Sequence, residues 1–155
     1  MKRHLPCALL CFSLLISPFA IAEESPKPTT MPRQVENTIP VLPVKDLARS
    51  IEFYTKKLGF KLDWGGDPGA KVCSVSRDGN CIMLQVREKI EPAWVWMGCE
   101  VALFETFRAA GAKVYQEPKN FSWAYEMKFE DVDGNILWLG SDPRHDLPFE
   151  DAKQQ

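Results

Sequence analysis

The sequence predicts an α+β domain of two consecutive βαβββ modules that form a curved mixed sheet around a cleft. Three observations support this prediction. The order strand, helix, strand and hairpin occurs twice, over about 37–90 and about 93–141. Each predicted helix ends at a glycine, which can close a helix in the left-handed conformation. Each half also contains a hairpin with an Asp-Gly turn. Such an internal duplication of one unit determines the fold prediction.

The N-terminus has the composition of a secretory signal peptide. A basic pair at 2–3 precedes a mainly apolar run over 5–19, and Ala20-Ile21-Ala22 fits the small-x-small rule for cleavage. The run is too short to span a bilayer as a mature helix, which disfavours the alternative of an uncleaved anchor. We therefore predict a signal peptide over 1–22 and export across the inner membrane to the periplasm.

The mature chain is expected to hold one compact domain. Residues 23–34 are rich in Pro, Lys, Thr and Glu and are predicted to be a flexible linker, because this composition cannot bury a core. The domain then covers 35–142, and a C-terminal tail covers 143–155. The roughly 133 residues after the signal peptide suit a single domain of this kind.

The charge balance disfavours nucleic acid as a partner. The 19 Lys and Arg lose two with the signal peptide, which leaves 17 against 21 Asp and Glu, a net charge of about −4. This weakly acidic surface tolerates a cationic ligand, although solubility alone is a sufficient reason for it. After cleavage no segment is expected to contact a membrane.

Three cysteines remain in the mature chain, Cys73, Cys81 and Cys99. An oxidising compartment allows one disulfide. However, a two-residue Asp-Gly loop pairs Ser76 with Cys81, so Cys73 points to the opposite face of the hairpin. We therefore predict no bridge between Cys73 and Cys81, and three buried thiols. The spacings Cys-x-x-Cys and His-x-x-x-His are absent from the sequence, so a structural zinc site has no support.

The first module begins with the β-rich stretch 39–44, whose two prolines favour the edge of a sheet. Asp46 is a natural N-cap for a helix over 47–59, where apolar residues recur every three or four positions. One face of the following hairpin is apolar and suits packing under a helix, whereas the other is more polar and suits the wall of a wet pocket. The remaining strands are predicted at 60–64, 71–76 and 81–86. The apolar face carries Cys73, Val75, Ile82 and Leu84, and the polar face carries Ser74, Ser76, Cys81, Met83 and Gln85.

The second module repeats this order. Its helix is predicted over 99–110, with Phe104 and Phe107 on the inner face, and Pro118 is expected to stop the strand that follows. Asp131 and Asp133 are expected to hold the closing turn by bonds from their side chains to the backbone. The strands of this module are predicted at 94–97, 112–115, 121–130 and 136–139.

Two motifs resemble a known family. Residues Ile39 to Phe60, which read IPVLPVKDLARSIEFYTKKLGF, are similar to the first module of the glyoxalase/bleomycin resistance/dioxygenase group, the vicinal oxygen chelate superfamily. Residues Trp123 to Asn135, which read WAYEMKFEDVDGN, resemble its closing hairpin. The resemblance covers about 37–141 and implies the paired βαβββ fold. It leaves the function open, because this fold hosts many activities.

The resemblance also identifies four strand positions, two per module, that hold one divalent ion in metal-dependent members. Gln85 is a weak ligand through its amide oxygen, and Met83 is a poor ligand for a hard ion. Because the loop 97–100 is shorter than in the family, the third ligand position can be aligned with either of two tryptophans. The four positions fall on Ile39, near Met83 with Gln85 one step along, at or near Trp94 or Trp96, and on Trp138, where metal-binding relatives carry Glu.

The mature chain has a single histidine, His145, beyond the last predicted strand, where a surface position is the ordinary expectation. With Ile39 and Trp138 at two ligand positions, we expect neither a metal ion nor a cofactor. A Ser-His-Asp triad is also excluded within this domain, and no catalytic residue is assigned.

Metal-free members of the bleomycin-resistance type resemble this chain in the Pro-x-Leu-Pro-Val start and the apolar last position. The resemblance implies a homodimer that holds a planar or cationic small molecule by aromatic stacking and acidic complementarity. Strand aromatics more often pack in a core. Seven candidates in one small domain shift this expectation without reversing it for any single residue, and Trp138 is the strongest candidate because of its position. The predicted ligand-binding residues are Trp138, Gln85, Met83, Trp123, Trp96 and Glu126, the last at the cleft edge; further candidates are Trp64, Trp94, Phe121 and Tyr125.

The favoured function is therefore an exported small-molecule-binding protein. Two alternatives remain open. One is a metal-dependent lyase or dioxygenase with a degenerate metal site that uses Gln85 and Glu126. The other is a periplasmic structural or interaction module without a small ligand.

Overall fold

The computed structural model describes residues 35–151, so the predicted signal peptide and linker lie outside the described residues. The described chain contains two βαβββ modules, as the sequence predicts. The helix of the first module, α1, continues into a wider π-helical turn over Phe53–Lys57. The elements are β1 (Val41–Val44), α1 (Leu47–Glu52), β2 (Lys61–Trp64), β3 (Val72–Arg77), β4 (Asn80–Val86), β5 (Trp94–Gly98), α2 (Ala102–Ala109), β6 (Lys113–Asn120), β7 (Tyr125–Glu130) and β8 (Ile136–Ser141).

The strands form two four-stranded mixed sheets with the same topology. The strand order is β1-β4-β3-β2 in the first sheet and β5-β8-β7-β6 in the second. In each sheet the first strand of the module pairs in parallel with the last one, and the other pairs are antiparallel. The predicted fold of tandem βαβββ modules is therefore confirmed, and the strands of each module pair only with strands of the same module.

One apolar core continues through both modules. The predicted apolar face of the first hairpin is fully buried in it, which includes Cys73 and Leu84. Phe104 and Phe107 of α2 are buried in the same cluster, because residues three apart lie on one side of a helix. The expected N-cap of α1 is present, since the Asp46 carboxylate accepts a hydrogen bond from the backbone of Arg49 at 3.0 Å. No helix within residues 35–151 has the length and apolar character that crossing a bilayer needs.

The turn between β7 and β8 connects the two modules. Asn135 is fully buried; its amide nitrogen donates to the Pro43 carbonyl at 3.0 Å, and its amide oxygen accepts from the backbone of Ala93 at 3.0 Å. Asp131 accepts from the Tyr54 hydroxyl at 3.0 Å and from the backbone of Asp133, so the expected turn-holding bonds of Asp131 are confirmed. The same expectation for Asp133 is wrong, because its carboxylate accepts from the backbone of Lys45 at 3.0 Å and from the Ser50 hydroxyl at 2.7 Å, both in the first module. This polar network fixes β1 and α1 against the second module.

The buried bond to Asp131 perturbs the titration of Tyr54. Burial raises the pKa of the Tyr54 hydroxyl well above its usual value of 10.0, and the negative charges of Asp131 and Asp133 raise it further. The protonated phenol is the form that can donate to Asp131. The junction between the modules therefore depends on a phenol that keeps its proton.

The prediction that Pro118 stops a strand is wrong. β6 continues through Pro118 to Asn120. It is the outer strand of its sheet, and its register with β7 shifts between Gln116 and Lys119. Proline has no N–H to donate, and an edge strand with a bulge is where that loss is tolerated.

Three smaller expectations are also corrected. β7 begins at Tyr125, and residues 121–124 form a turn instead of the predicted strand start. The second helix begins at Ala102, because the backbone N–H of Cys99 still bonds to the Gly140 carbonyl at the end of the sheet. The described cysteines are free thiols, so the predicted absence of a Cys73–Cys81 bridge is confirmed, but Cys81 and Cys99 are only partly buried.

Candidate functional site

A cluster of indole rings covers the second sheet on the side opposite the core. Trp96 and Trp138 are direct neighbours in the parallel β5–β8 pair, and Trp94 lies two residues before Trp96. Side chains alternate along a strand. For this reason the buried neighbours Val95 and Leu137 point into the core while these tryptophans point away from it. We call the rings of Trp94, Trp96, Trp123 and Trp138 the aromatic face.

Trp138 is the centre of the aromatic face. Its ring centroid lies 5.2 Å from that of Trp96, 5.8 Å from Trp94 and 6.0 Å from Trp123. The three surrounding residues are about half exposed, with Trp123 at 56%. Clustered aromatic rings that remain open to solvent are typical of a binding surface and not of a core.

Trp123 reaches the cluster from the turn between β6 and β7. The backbone and hydroxyl of Ser122 both bond to the carboxylate of Asp151, which fixes this turn from the C-terminal side. The Ser122 hydroxyl holds the pKa of Asp151 below its ordinary value. Phe121 stacks on Trp123 at 5.7 Å between ring centroids. The position of the Trp123 ring therefore depends on contacts outside the sheet.

A buried ion pair lies beneath the rings. Lys128 Nζ lies 2.6 Å from Glu126 Oε1, and the two side chains are 8% and 2% exposed. Gln116 bridges the pair, because its amide oxygen accepts from Lys128 at 2.8 Å and its amide nitrogen donates to Glu126 Oε1 at 3.1 Å. The Lys128 ammonium also lies 4.2 Å from the ring centre of Trp138, at cation–π distance.

Two buried polar atoms beneath the aromatic face have no hydrogen-bond partner within the described residues. They are Glu126 Oε2 and Trp138 Nε1. Buried polar groups are almost always paired. An unpaired carboxylate oxygen and an unpaired indole N–H in one place are therefore an unusual combination.

Glycine permits the close approach of one ring. A Cβ atom at Gly140 would overlap with the six-membered ring of Trp96, so this ring lies directly over the Gly140 backbone. Gly140 is the register partner of Glu126 in the β7–β8 pair. The Trp96 ring consequently covers the strand position beside the buried carboxylate.

Two cavities border the aromatic face, and Trp96 lines both of them. The larger, of about 880 Å³, lies between the two modules and is lined by Ile39, Cys81, Trp94 and Leu103 among others. The smaller, of about 730 Å³, is lined by Trp123, Gly140 and Asp142 among others. A ligand on the aromatic face can thus extend into either cavity.

The structure brings together some of the residues predicted from the sequence. Trp138, Trp123 and Trp96 are in mutual ring contact. Glu126 lies beneath them and not at a cleft edge, because it is 1% exposed and paired with Lys128. The further candidate Tyr125 stacks on Phe104 of the core.

The predicted residues Met83 and Gln85 lie in the other sheet. Both are on β4 and partly buried, beside Val41 and Pro43 of β1. They face the side opposite the core residue Leu84, as the alternation of the strand predicts. Their role in ligand binding stays a prediction.

The sequence reasoning did not identify Lys128, Gln116 or Tyr115. The period of two along β7 was a sufficient signal for Lys128, since it is two residues from Glu126 and shares its face. The ring of Tyr115 lies 5.8 Å from that of Trp94, so rings from the two outer strands meet. Gln116 and Tyr115, both on β6, lie in no sequence motif that indicates their role.

Two side chains that the sequence resemblance aligns with metal-ligand positions, Trp138 and Met83, are poor ligands for a divalent ion. Trp138 contributes a carbon-rich ring that packs on Trp96, and Met83 offers a thioether beside Val41. Among residues 35–151, no three side chains of His, Cys, Asp or Glu come together as a possible ligand group. His145 lies beyond β8, with its ring 6.0 Å from that of Phe149.

The first module matches a known family. Residues 37–93 match the model of the Glyoxalase/Bleomycin resistance protein/Dioxygenase superfamily, which confirms the resemblance seen in the sequence motifs. None of the curated proteins matches the chain.

Solved structures share the fold over most of the chain. TioX from Micromonospora sp. ML1 is 16% identical, with 70% of this chain and 99% of that chain covered at a TM-score of 0.62. TnmS3, an antibiotic binding protein from Streptomyces sp. CB03234, is 22% identical, with 71% and 98% covered at 0.59. A glyoxalase/bleomycin resistance protein/dioxygenase from Nocardioides is 22% identical, with 79% and 92% covered at 0.58. At these identities the likeness establishes the fold alone.

Proposed function

We propose that this chain, which has the fold of the glyoxalase and bleomycin resistance superfamily, is an exported small-molecule-binding protein. It holds a planar ligand on the aromatic face of the second module, without a metal ion. The observation that carries the proposal is the position of Trp138. This indole, which the sequence resemblance aligns with the last ligand position of metal-binding relatives, contacts the three half-exposed rings of Trp94, Trp96 and Trp123.

The chemistry of the aromatic face favours planar ligands. Indole rings offer a large contact area and a negative ring face, which binds flat and cationic groups alike. Glu100 and Asp142 line the adjoining cavities and supply acidic groups near the rings. The charge of Glu126 is compensated by Lys128 and does not contribute to this acidity.

One of the proteins that share the fold supports a binding function. TnmS3 is described as an antibiotic binding protein, so the fold can serve to bind such compounds. The indole rings of the present chain give a physical basis for the same kind of function. We further propose that the mature protein acts in the periplasm as a homodimer.

The proposal is tested by titration calorimetry of the mature protein with two planar probes, 1-methylquinolinium and quinolin-2(1H)-one. We expect saturable binding of at least one probe, and loss of at least about tenfold in affinity in Trp138→Ala, because the central ring is removed. Trp64→Ala is the matched control and should leave the affinity unchanged, because the structure places this candidate on the first sheet and not on the aromatic face. Trp64 is 48% exposed on β2, and none of the ring contacts within residues 35–151 involves it.

A second titration separates the binding protein from the metal-dependent alternative. We expect no stoichiometric binding of Ni²⁺, Mn²⁺ or Fe²⁺, because the ligand positions carry Met83 and Trp138 in place of oxygen or imidazole donors. Stoichiometric metal binding that is lost in Gln85→Ala would overturn the metal-free proposal and favour the lyase or dioxygenase. Circular dichroism of each variant verifies that it is folded.

A further inference from the structure

The two unpartnered atoms beneath the aromatic face point to the chemistry of the ligand. Within residues 35–151, Glu126 Oε2 is an acceptor without a donor, and Trp138 Nε1 is a donor without an acceptor. Glu126 is 1% exposed, so no bulk solvent reaches its carboxylate. Leaving such atoms unpaired is costly, and a bound molecule that supplies both partners removes this cost.

The two residues belong to one continuous set of contacts. Glu126 Oε1 contacts Lys128 Nζ at 2.6 Å, and Lys128 Nζ lies 4.2 Å from the ring centre of Trp138. Gln116 and Lys128 both bond to Oε1, so the polar groups around Glu126 leave Oε2 free. One small molecule can therefore be near both groups.

The Trp96 ring blocks access to Glu126 and Lys128. It lies over Gly140, the register partner of Glu126, where any side chain would exclude it. Trp96 is 46% exposed and lines both cavities. Its indole lies over Gly140 and contacts the rings of Trp123 and Trp138.

We propose that the ligand is a planar ring that carries a hydrogen-bond donor next to an acceptor, as in a lactam. The Trp96 indole turns outward, and the ligand ring takes the place over Gly140 that this indole fills in the free protein. Its N–H or O–H donates to Glu126 Oε2, and its carbonyl accepts from Trp138 Nε1. This inference rests on the proposed function, because it names the ligand class of the same aromatic face.

The test compares two neutral probes that differ at one position. Quinolin-2(1H)-one has the N–H and the carbonyl, whereas 1-methylquinolin-2(1H)-one keeps the ring and the carbonyl but has no N–H. We expect the first to bind at least about tenfold more tightly, since a hydrogen bond to a charged group is the strong kind. Calorimetry gives the affinities, and 1-methylquinolinium reports aromatic binding without either hydrogen bond.

Spectroscopy gives a second readout at the donor. The chain has 5 tryptophans, so its ¹H–¹⁵N spectrum contains few indole N–H signals. We expect the Trp138 signal to move downfield with both lactams, because each supplies a carbonyl. Trp138→Phe keeps a ring but has no N–H, and should weaken both lactams by a similar factor, about threefold to tenfold.

The Glu126→Gln variant separates the hydrogen bond from the bulk of the added methyl group. Lys128 and Gln116 both donate to Oε1, so the amide oxygen of the variant should stay at that place and its NH2 group should replace Oε2. An NH2 group cannot accept from the ligand N–H, so the preference for quinolin-2(1H)-one should disappear in this variant. A preference that persists unchanged overturns the role of Glu126. The substitution leaves Lys128 with a neutral partner, so thermal unfolding and circular dichroism verify that the variant is folded. The comparison of the two lactams in the wild-type protein does not depend on this variant.

The outcomes distinguish this inference from the proposed function. Equal affinity of the two lactams for wild-type protein, with binding that Trp138→Ala removes, overturns the donor–acceptor ligand and leaves aromatic binding intact. Absence of saturable binding by all three probes at millimolar concentration overturns the proposed function and this inference with it. Tighter binding of the N–H lactam together with a shifted Trp138 signal supports both.

Discussion

Lys128 and Glu126, two residues apart on β7, form an ion pair 2.6 Å long that is almost completely buried beneath the aromatic face. Lys89 and Glu91 have the same spacing and the same distance of 2.6 Å, but both are highly exposed. The two pairs differ mainly in solvation. Burial makes an ion pair costly to break from one side, since the remaining charge has no water to solvate it.

The buried pair predicts a strong effect of removing one partner. Lys128→Met should lower the free energy of unfolding by about 3–5 kcal/mol, because it leaves the Glu126 carboxylate buried and uncompensated. Lys89→Met should change it by less than about 1 kcal/mol. Urea denaturation measures both. The double replacement of Glu126 by Leu and Lys128 by Met should recover much of the loss, and equal effects of the two single variants would contradict this view.

Gly140 predicts a specific effect on the aromatic face. Gly140→Ala should displace the Trp96 ring, because the added methyl group overlaps with it. We expect a changed Trp96 indole signal and weaker binding of planar probes. Gly98→Ala is the control, since Gly98 is the register partner of Gly140 on β5 and its Cβ would meet nothing within 4 Å. The idea fails if both variants leave the Trp96 signal at its wild-type position.

The buried bonds of Asn135 predict that the stability of the protein depends strongly on this one side-chain amide. Its side chain bonds to Pro43 on one side and to Ala93 on the other. Asn135→Leu should destabilise the protein by about 2–4 kcal/mol, since it leaves buried backbone groups unpaired. Asn80→Leu removes an exposed bond to the Asp78 carbonyl and should cost less than about 1 kcal/mol. Similar midpoints in chemical denaturation would exclude a special role of Asn135.

Tyr54 predicts a loss of stability at alkaline pH. Burial, together with the charge of Asp131, raises the pKa of Tyr54 in the folded protein. Below about pH 10 the phenol is protonated in both states, so its contribution is constant. Above that pH the unfolded chain loses the proton and the folded one keeps it, so stability falls by up to about 1.4 kcal/mol per pH unit.

The measurement is the stability difference between the wild type and Tyr54→Phe as a function of pH. The variant has no phenol to ionise, so its stability should fall less steeply above pH 10. Below that pH the difference should stay constant, at the value of one buried hydrogen bond to a carboxylate. If the stability of the wild type and that of Tyr54→Phe change in parallel from pH 7 to pH 11, the ionisation of Tyr54 does not cause the loss of stability at alkaline pH.

The aromatic face illustrates how far local sequence patterns reach. Trp138 was identified from its position in a motif, and the alternation of β8 determined that it points away from the core. The contact of Trp138 with Lys128 was not identified, because the residues lie on different strands and become neighbours through the β7–β8 register. Trp123 was expected on a strand, whereas the bonds of Ser122 to the distant Asp151 hold it in a turn.

Pro118 shows the same limit for backbone structure. A proline is an ordinary reason to end a strand, and only the place of β6 at the edge of the sheet makes it acceptable. That place depends on the order of all four strands, which no local pattern contains.

The sequence by itself determined the duplicated βαβββ fold, the buried faces of the first hairpin and of α2, and the turn at Asp131. These follow from periods of two and of about 3.6 residues and from turn chemistry, which are properties of neighbouring residues. The tertiary structure alone decided that four indoles meet, that Glu126 is buried against Lys128, and that two polar atoms beneath the rings have no partner in the described part of the chain. These depend on strand register and on the space between sheets, where residues distant in the chain compete for the same volume and the same hydrogen bonds.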